Sequence, residues 1–175
     1  MTVSYTHLRA HETGALVGFE KSGHFFFNPP LGRGYDDGLV AALAVLDMLD
    51  RNLGKSLAEL KNELPRTWQS PTMSPHCDDE LKYQVVDRMV AHFQKVADNG
   101  SMLAGQKVRE LITVNGVRIV LEDGTWGLVR ASSNKPELVV VVESPTSEAN
   151  MRAIFGEIDA ELAKQPEVGA YNQKI

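Results

Sequence analysis

The chain has 175 residues, 43% hydrophobic and 23% charged, which is enough apolar material for one or two globular domains. Its formal net charge of -5 argues against general nucleic-acid binding, because affinity for a phosphate backbone comes from clustered Lys and Arg. No apolar run approaches the roughly 20 residues that span a bilayer, and the amino terminus lacks a secretory signal pattern. We therefore expect no nucleic-acid partner, no membrane partner and a cytoplasmic location.

The first part of the chain is predicted to form two helices. Either Asp36 or Asp37 can cap the first helix, and Ser56 can cap a short second helix over residues 56–64. We expect a domain boundary near Pro65, which ends the second helix. The first helix is predicted from leucines at helical spacing: Leu39, Leu43, Leu46, Leu49 and Leu53.

The next region is predicted to contain an edge segment followed by a longer helix. Residues 67–76 contain prolines, so they suggest an edge strand or an extended linker rather than a central strand. Cys77 is the one cysteine of the chain, which excludes an internal disulfide, and we interpret it as a small packing residue. Residues 78–80 are acidic, which suits a helix amino terminus, and an apolar stripe follows: Leu81, Val85, Met89, Phe93 and Val96.

Three or four antiparallel strands are predicted after this helix. Residues 108–114, 117–121 and 126–131 are rich in β-branched side chains and are separated by Asn-Gly and Asp-Gly, which favour tight hairpin turns. They indicate an antiparallel meander. Residues 138–142 form an almost unbroken valine run, which indicates a strand covered on at least one face.

The carboxy-terminal region is predicted to end in a helix and a frayed tail. Ser147 can cap that helix, whose apolar stripe ends before Pro166. We predict the α+β class, with an antiparallel sheet and two helices packed on one of its faces. The expected layout is an atypical segment 1–13, a first domain portion 14–64, a second domain 65–166 and a tail 167–175.

One segment with potential chemistry is residues 18–24, between two apolar runs. Glu20, Ser22 and His24 offer donors and acceptors suited to vicinal hydroxyl groups, and Gly23 lets a backbone approach closely. The same composition also fits a simple turn between two strands. Both interpretations are open from the residues alone.

A second segment lies between the last two predicted strands. The Arg130 guanidinium can bind phosphate oxygens, and the following polar residues and backbone amides can complete an anion site. A hairpin with serine and asparagine at its turn fits equally well. The residues that would contribute to the anion site are Arg130, Ser132, Ser133, Asn134 and Lys135.

Together, and in this order, the two segments resemble the α-D-phosphohexomutase family, in particular its phosphomannomutase/phosphoglucomutase members. The family's sugar-recognition segment, G-E-x-S-G-H, is matched from Glu20 to His24, although Phe19 replaces a glycine. Its phosphate-binding loop, R-x-S-x-T-x-P, is matched from Arg130 to Pro136, with Asn134 in place of threonine.

The resemblance covers about residues 14–165 and implies a fold. Residues 14–64 would be the end of an α/β third domain, and the fourth domain would have a sheet and helices similar to those of the TATA-binding protein. The negative charge argues against carrying DNA binding over with that fold.

The resemblance also implies a reaction. The family interconverts hexose 1-phosphates and 6-phosphates through a phosphoserine and a bisphosphorylated intermediate, with Mg²⁺ bound by carboxylates. Its phosphoserine segment, T-A-S-H-N-P, and its magnesium segment, D-G-D-G-D-R, do not occur in this sequence. We therefore expect no catalytic residue and no bound metal in this chain. The implied partners are mannose or glucose 1- or 6-phosphate and the missing amino-terminal domains.

Two other functions remain open, namely a non-catalytic phosphosugar- or anion-binding module and an inert truncated product. A zinc site at His7 and His11 is not favoured, because the His-Glu-x-x-His order and a third ligand are missing. The adjacent aspartates at 36–37 and 78–79 are interpreted as charges at helix starts.

Overall fold

The structure is a computed structural model that describes residues 12–20 and 23–175. The chain divides into two compact units, residues 1–64 and residues 65–175. Among the described residues, no helix combines the length and apolar character needed to cross a membrane.

The described part of residues 1–64 includes a hairpin that is followed by two helices. Strands β1 (Val17–Phe19) and β2 (Phe25–Phe27) pair antiparallel, and helices α1 (Gly38–Arg51) and α2 (Leu57–Asn62) follow. The Asp37 carboxylate caps α1, and the Ser56 side chain forms a capping box with Glu59 at α2. Both helices were predicted from leucine spacing and capping residues, and both are confirmed.

Helices α1 and α2 bury no side chain. The apolar stripe of α1 is largely exposed, with Leu39 71%, Leu43 57% and Leu46 60% accessible. Leu53, just after the helix, is 84% accessible. The described part of residues 1–64 therefore leaves apolar surface in contact with solvent.

The second unit is built on a six-stranded antiparallel sheet. Its strands are β3 (Trp68–Gln69), β4 (Met102–Leu103), β5 (Gln106–Ile112), β6 (Val117–Leu121), β7 (Trp126–Ala131) and β8 (Leu138–Ser144). Their order across the sheet is β3-β8-β7-β6-β5-β4. The edge strand β3 confirms the edge segment predicted from the prolines. The short strand β4 was not predicted.

Two helices cover one face of this sheet and close a hydrophobic core. Helix α3 (Lys82–Asp98) packs on β5, β6 and β7, while α4 (Glu148–Leu162) packs on β3, β7 and β8. Cys77 is completely buried in the core, as predicted, and burial raises the pKa of its thiol. The α+β class with two helices on one face of an antiparallel sheet is confirmed.

The predicted fraying of the carboxy-terminal tail is wrong. The backbone of His76 pairs with the tail, donating to the Ala170 carbonyl at 3.0 Å and accepting from the Gly169 amide at 2.8 Å. The Tyr171 ring contacts the Phe155 ring edge-on, with 6.2 Å between centroids. These contacts order the tail, because its backbone groups form hydrogen bonds with His76, which is far away in sequence.

Candidate functional site

The loop over residues 130–136 joins β7 to β8 and is closed at its base by backbone hydrogen bonds. The Ser132 amide donates to the Glu137 carbonyl at 3.0 Å, and the Glu137 amide donates to the Lys135 carbonyl at 2.8 Å. Ala131 and Leu138 are register partners on the two strands. Every second residue of β7 and most residues of β8 are buried, so the loop projects from a rigid support.

The polar groups of this loop suit an anion. Arg130 is half-buried at the end of β7 and donates from one Nη to the Ala131 carbonyl at 2.9 Å. Ser132 is buried, and its hydroxyl accepts from the Asn134 amide at 3.4 Å. Within the described part of the chain, the exposed Ser133 and Lys135 have no acceptor for their backbone amides. A guanidinium, a hydroxyl and available amides are the donor set of an anion site.

A glycine lets the turn before β6 lie directly against the Arg130 strand end. Gly116 has a φ of +100°, and a Cβ there would come within 2.8 Å of the Arg130 Cα. A side chain at this position would collide with the Arg130 and Val129 backbone. The Asn-Gly turn thus helps to position Arg130. The residues next to Arg130 in sequence do not reveal this contact.

Cys77, before α3, and Lys82, in its first turn, donate hydrogen bonds to backbone carbonyls of the loop. The Lys82 Nζ donates to the Lys135 carbonyl at 3.1 Å and to Asp79 Oδ1 at 2.5 Å. The Cys77 amide donates to the Pro136 carbonyl at 3.0 Å. Sequence reasoning missed these contacts, because Lys82 precedes Lys135 by 53 positions and no motif links the two.

The candidate sugar-binding segment is the turn between β1 and β2. The Glu20 amide donates to the His24 carbonyl at 3.0 Å, and the Gly23 amide donates to the Glu20 carbonyl at 2.9 Å. Gly23 has a φ of +89°, which a glycine adopts without strain. Glu20 and His24 therefore stand at the two ends of one tight turn, while the predicted Ser22 lies outside the described residues.

Asp36 contacts the histidine of this turn and does not cap a helix. Its Oδ2 lies 2.6 Å from His24 Nδ1, and its Oδ1 accepts from the Phe25 amide at 3.2 Å. The hydrogen bond to Asp36 raises the pKa of His24, and the same contact lowers the pKa of Asp36. Its prediction as a helix-start charge is wrong, because a bridge between Phe26 and Asp36 aligns it with the hairpin and Asp37 supplies the cap.

The described residues do not form a metal centre. Asp79 pairs with Lys82, and Asp78 lies 3.2 Å from the His76 ring nitrogen. No group of three or more His, Cys, Asp or Glu suited to a metal occurs among residues 12–20 and 23–175. His7 and His11 lie outside the described residues. The donor set in this part of the chain therefore does not fit magnesium.

The acidic residues 78–80 lie directly before α3, at the helix start where the sequence predicts negative charge. The Lys82 amide donates to the Asp78 carbonyl at 2.9 Å, while the helix itself starts at Lys82 and has no acidic residue in its first turn. The N-cap, Leu81, makes no side-chain capping bond. These carboxylates lie before the helix, where Asp79 is engaged by Lys82.

Comparison with known proteins gives matches along most of the chain. Residues 4–68 match a family model described as phosphoglucomutase/phosphomannomutase, alpha/beta/alpha domain III, and residues 80–161 match that family's C-terminal domain. A phosphoglucomutase of Neisseria meningitidis serogroup A is 33% identical over 89% of this chain and 31% of its own length. A phosphomannomutase/phosphoglucomutase of Pseudomonas syringae is 32% identical over 87% of this chain and 30% of its own length.

A solved structure has the same fold. It is a phosphoglucomutase/phosphomannomutase family protein from Burkholderia thailandensis, with a TM-score of 0.73 and 27% identity, covering 97% of this chain and 32% of that protein. The chain thus spans about a third of the length of the relatives that it matches. By its matched domains and by its fold, the chain belongs to the phosphoglucomutase/phosphomannomutase family.

Proposed function

We propose that the complete protein interconverts a hexose 1-phosphate and a hexose 6-phosphate, and that this chain supplies binding loops for the phosphate and the sugar. The observation that supports this proposal most strongly is the loop over residues 130–136, which contains a half-buried arginine, a buried serine and available backbone amides. Relatives named for mutase activity on glucose and mannose phosphates support the substrate class.

In this proposal the phosphate loop holds the phosphate group that is not being transferred. The Arg130 guanidinium neutralises charge, while the hydroxyls of Ser132 and Ser133, the Asn134 amide group and Lys135 add further donors. Fixing the distant phosphate lets binding energy orient the reacting end of the sugar. This role needs no covalent step in the loop itself.

The hairpin turn would orient the sugar ring. Glu20 accepts hydrogen bonds from hydroxyl groups, and Ser22 and His24 can add donors or acceptors. Gly23 leaves room for close approach, and Asp36 holds His24 through a 2.6 Å contact. We assign residues 14–64 to the end of the family's third domain, residues 65–166 to its fourth domain and residues 167–175 to a tail that packs on the fourth domain.

The phosphoryl-transfer step is assigned to the rest of the protein. The family's phosphoserine and magnesium segments do not occur in these 175 residues, and the described carboxylates do not fit a magnesium ion. Missing amino-terminal domains would supply both groups and act as partners of this chain. The cytoplasm is the proposed location.

Calorimetric titration with glucose 1-phosphate and mannose 1-phosphate tests the phosphate loop. We expect Arg130→Ala to weaken binding by about tenfold or more, since it removes charge-assisted hydrogen bonds. Arg152→Ala is the matched control, because Arg152 is an exposed arginine of the same unit that pairs with Glu148. Identical isotherms for the wild-type chain and Arg130→Ala would disprove the phosphate site.

A mutase assay separates binding from chemistry. The chain alone should bind hexose phosphate without turning it over, and activity should appear when the amino-terminal portion of a relative is added. Turnover by the unaided chain would refute the assignment of chemistry to the missing domains.

A stand-alone binding module is a second candidate, favoured by the closed core beneath the phosphate loop. Binding that depends on Arg130, with no activity on adding the missing domains, would support it. An inert product would show no Arg130-dependent binding.

A further inference from the structure

The loop over residues 130–136 is held from behind by a buried lysine. Lys82 is the first residue of α3, and its side chain is only 4% accessible. Its ammonium donates to the Lys135 carbonyl at 3.1 Å and to the Asp79 carboxylate at 2.5 Å. Lys82 is thus an α3 side chain bonded directly to the backbone of the candidate phosphate loop.

The stability of α3 by itself does not explain why a lysine is buried at its first position. An ammonium at a helix amino terminus opposes the macrodipole, and removing it from water is costly. Its carboxylate partner, Asp79, is 66% accessible, so solvent screens the ion pair. We therefore expect a tertiary contact that offsets the cost of burying the ammonium. The hydrogen bond from Lys82 to the Lys135 carbonyl is such a contact.

The bond to this carbonyl restricts the loop backbone. The Lys135 carbonyl accepts one hydrogen bond from the Lys82 ammonium at 3.1 Å and a second from the Glu137 amide at 2.8 Å. The neighbouring Ser133 and Lys135 amides are the available donors of the proposed phosphate site. Because this carbonyl is held in place, the loop backbone has fewer conformations before a ligand binds. Less conformational entropy is then lost when the two amides bind a phosphate group.

We propose that Lys82 is a positioning residue of the phosphate loop: it fixes the Lys135 carbonyl and so preorganises the donors of residues 132–135 for a phosphate group. This inference rests on the proposed phosphate-binding function. Lys82 acts through the backbone of the loop and needs no contact with the ligand.

The test compares Lys82→Met with Lys95→Met in the full chain. Both variants remove one lysine charge from α3, but Lys95 is exposed near the other end of the helix. Amide hydrogen exchange of Ser132 and Glu137, measured by NMR without ligand, should become about tenfold faster in Lys82→Met, as expected for loss of one charge-assisted hydrogen bond. The Kd for glucose 1-phosphate should rise by a similar factor, and Lys95→Met should change neither quantity.

Two further variants separate positioning from general stability. Lys82→Arg keeps a cationic donor for the carbonyl and should restore slow exchange and tighter binding in part. Asp79→Asn removes the carboxylate but keeps the bond from Lys82 to the loop, so it should leave exchange nearly unchanged. If Lys82→Met prevents folding, Lys82→Gln, whose amide is too short to span the same distance, replaces it.

The inference is overturned if folded Lys82→Met or Lys82→Gln shows wild-type exchange in the loop, or if Asp79→Asn accelerates it equally. It is also overturned if the loop loosens while phosphate affinity remains unchanged. Absence of glucose 1-phosphate binding by the wild-type chain would instead refute the proposed function, and loop exchange would still decide whether Lys82 positions the loop.

Discussion

The two candidate binding loops, residues 130–136 and residues 20–24, are joined to secondary structure that differs greatly in how well it is packed. The loop over residues 130–136 projects from the central strands of a sheet whose core includes the fully buried Phe93 and Ile154. The turn over residues 20–24 belongs to a two-stranded hairpin in a unit whose helices α1 and α2 bury no side chain. A loop keeps its geometry only as well as its supporting elements do, so the loop over residues 130–136 is the better preorganised of the two.

This contrast can be measured one unit at a time, because both tryptophans belong to residues 65–175. Trp68 lies in β3 and Trp126 in β7, so tryptophan fluorescence follows unfolding of the second unit. Far-UV circular dichroism adds the helices of the first unit. Effects on the closed core and on the open unit can therefore be separated.

The largest expected effect is loss of the closed core. Phe93→Ala should lower the free energy of unfolding of the second unit by about 3–5 kcal/mol, because it leaves a cavity at a fully buried position. Urea denaturation followed by tryptophan fluorescence measures the change. Leu43→Ala, at a 57% accessible position of α1, is the control and should change this transition by less than about 0.5 kcal/mol. Equal effects would contradict the contrast between the units.

A smaller effect is expected at a polar cluster that joins the β6–β7 turn to the start of α4. Asp123 accepts from the Thr125 amide at 2.8 Å, from the Thr146 hydroxyl at 2.7 Å and from the Asn150 side chain at 2.9 Å. Burial by itself would raise the pKa of Asp123, but hydrogen bonds from these residues outweigh it and lower the pKa below its usual 3.8. The carboxylate therefore stabilises the fold above pH 3.8, and this stabilisation is lost as the pH falls through the lowered pKa.

Asp123→Asn should cost about 1–2 kcal/mol near neutral pH, because it weakens these hydrogen bonds. The difference from the wild-type chain should shrink as the pH falls below 3.8. Urea unfolding by tryptophan fluorescence at several pH values measures both effects, with the exposed Glu122→Gln as the control. A difference that does not vary with acid pH would show that the cluster does not depend on the carboxylate charge.

The smallest effect is expected in the open unit, at the contact between His24 and Asp36. Asp36→Asn should lower the pKa of His24 toward its usual 6.5, because the variant loses the carboxylate that favours the charged imidazole. The contact stabilises the fold fully below pH 6.5, and this stabilisation is lost as the pH rises through the raised pKa. An NMR titration of the imidazole measures the shift.

Asp37→Asn is the control for this titration, because it neutralises the neighbouring helix cap and asparagine is also a good N-cap. It should leave His24 nearly unchanged. Equal His24 titrations in the wild-type chain and Asp36→Asn would show that the turn does not hold the pair in solution.

Local patterns determined most of the secondary structure of this protein. Leucine spacing predicted α1, and the Asn-Gly and Asp-Gly turns separated β5, β6 and β7, because helical periodicity and turn preference depend on near neighbours in sequence. The loop over residues 130–136 was placed between two strands for the same reason. The valine run predicted β8, which pairs with strands on both sides.

Tertiary structure decided which distant groups support the loops. Lys82 meets a carbonyl 53 positions away, and the tail residue Asn172 accepts from the Ser74 amide across 98 positions. Asp36 turns from α1 toward His24 because of a bridge to the hairpin. Such contacts depend on how sheet and helices pack, which no periodicity or turn dipeptide encodes. The sequence alone therefore indicated where candidate binding groups occur, and packing decided which of them are held in place.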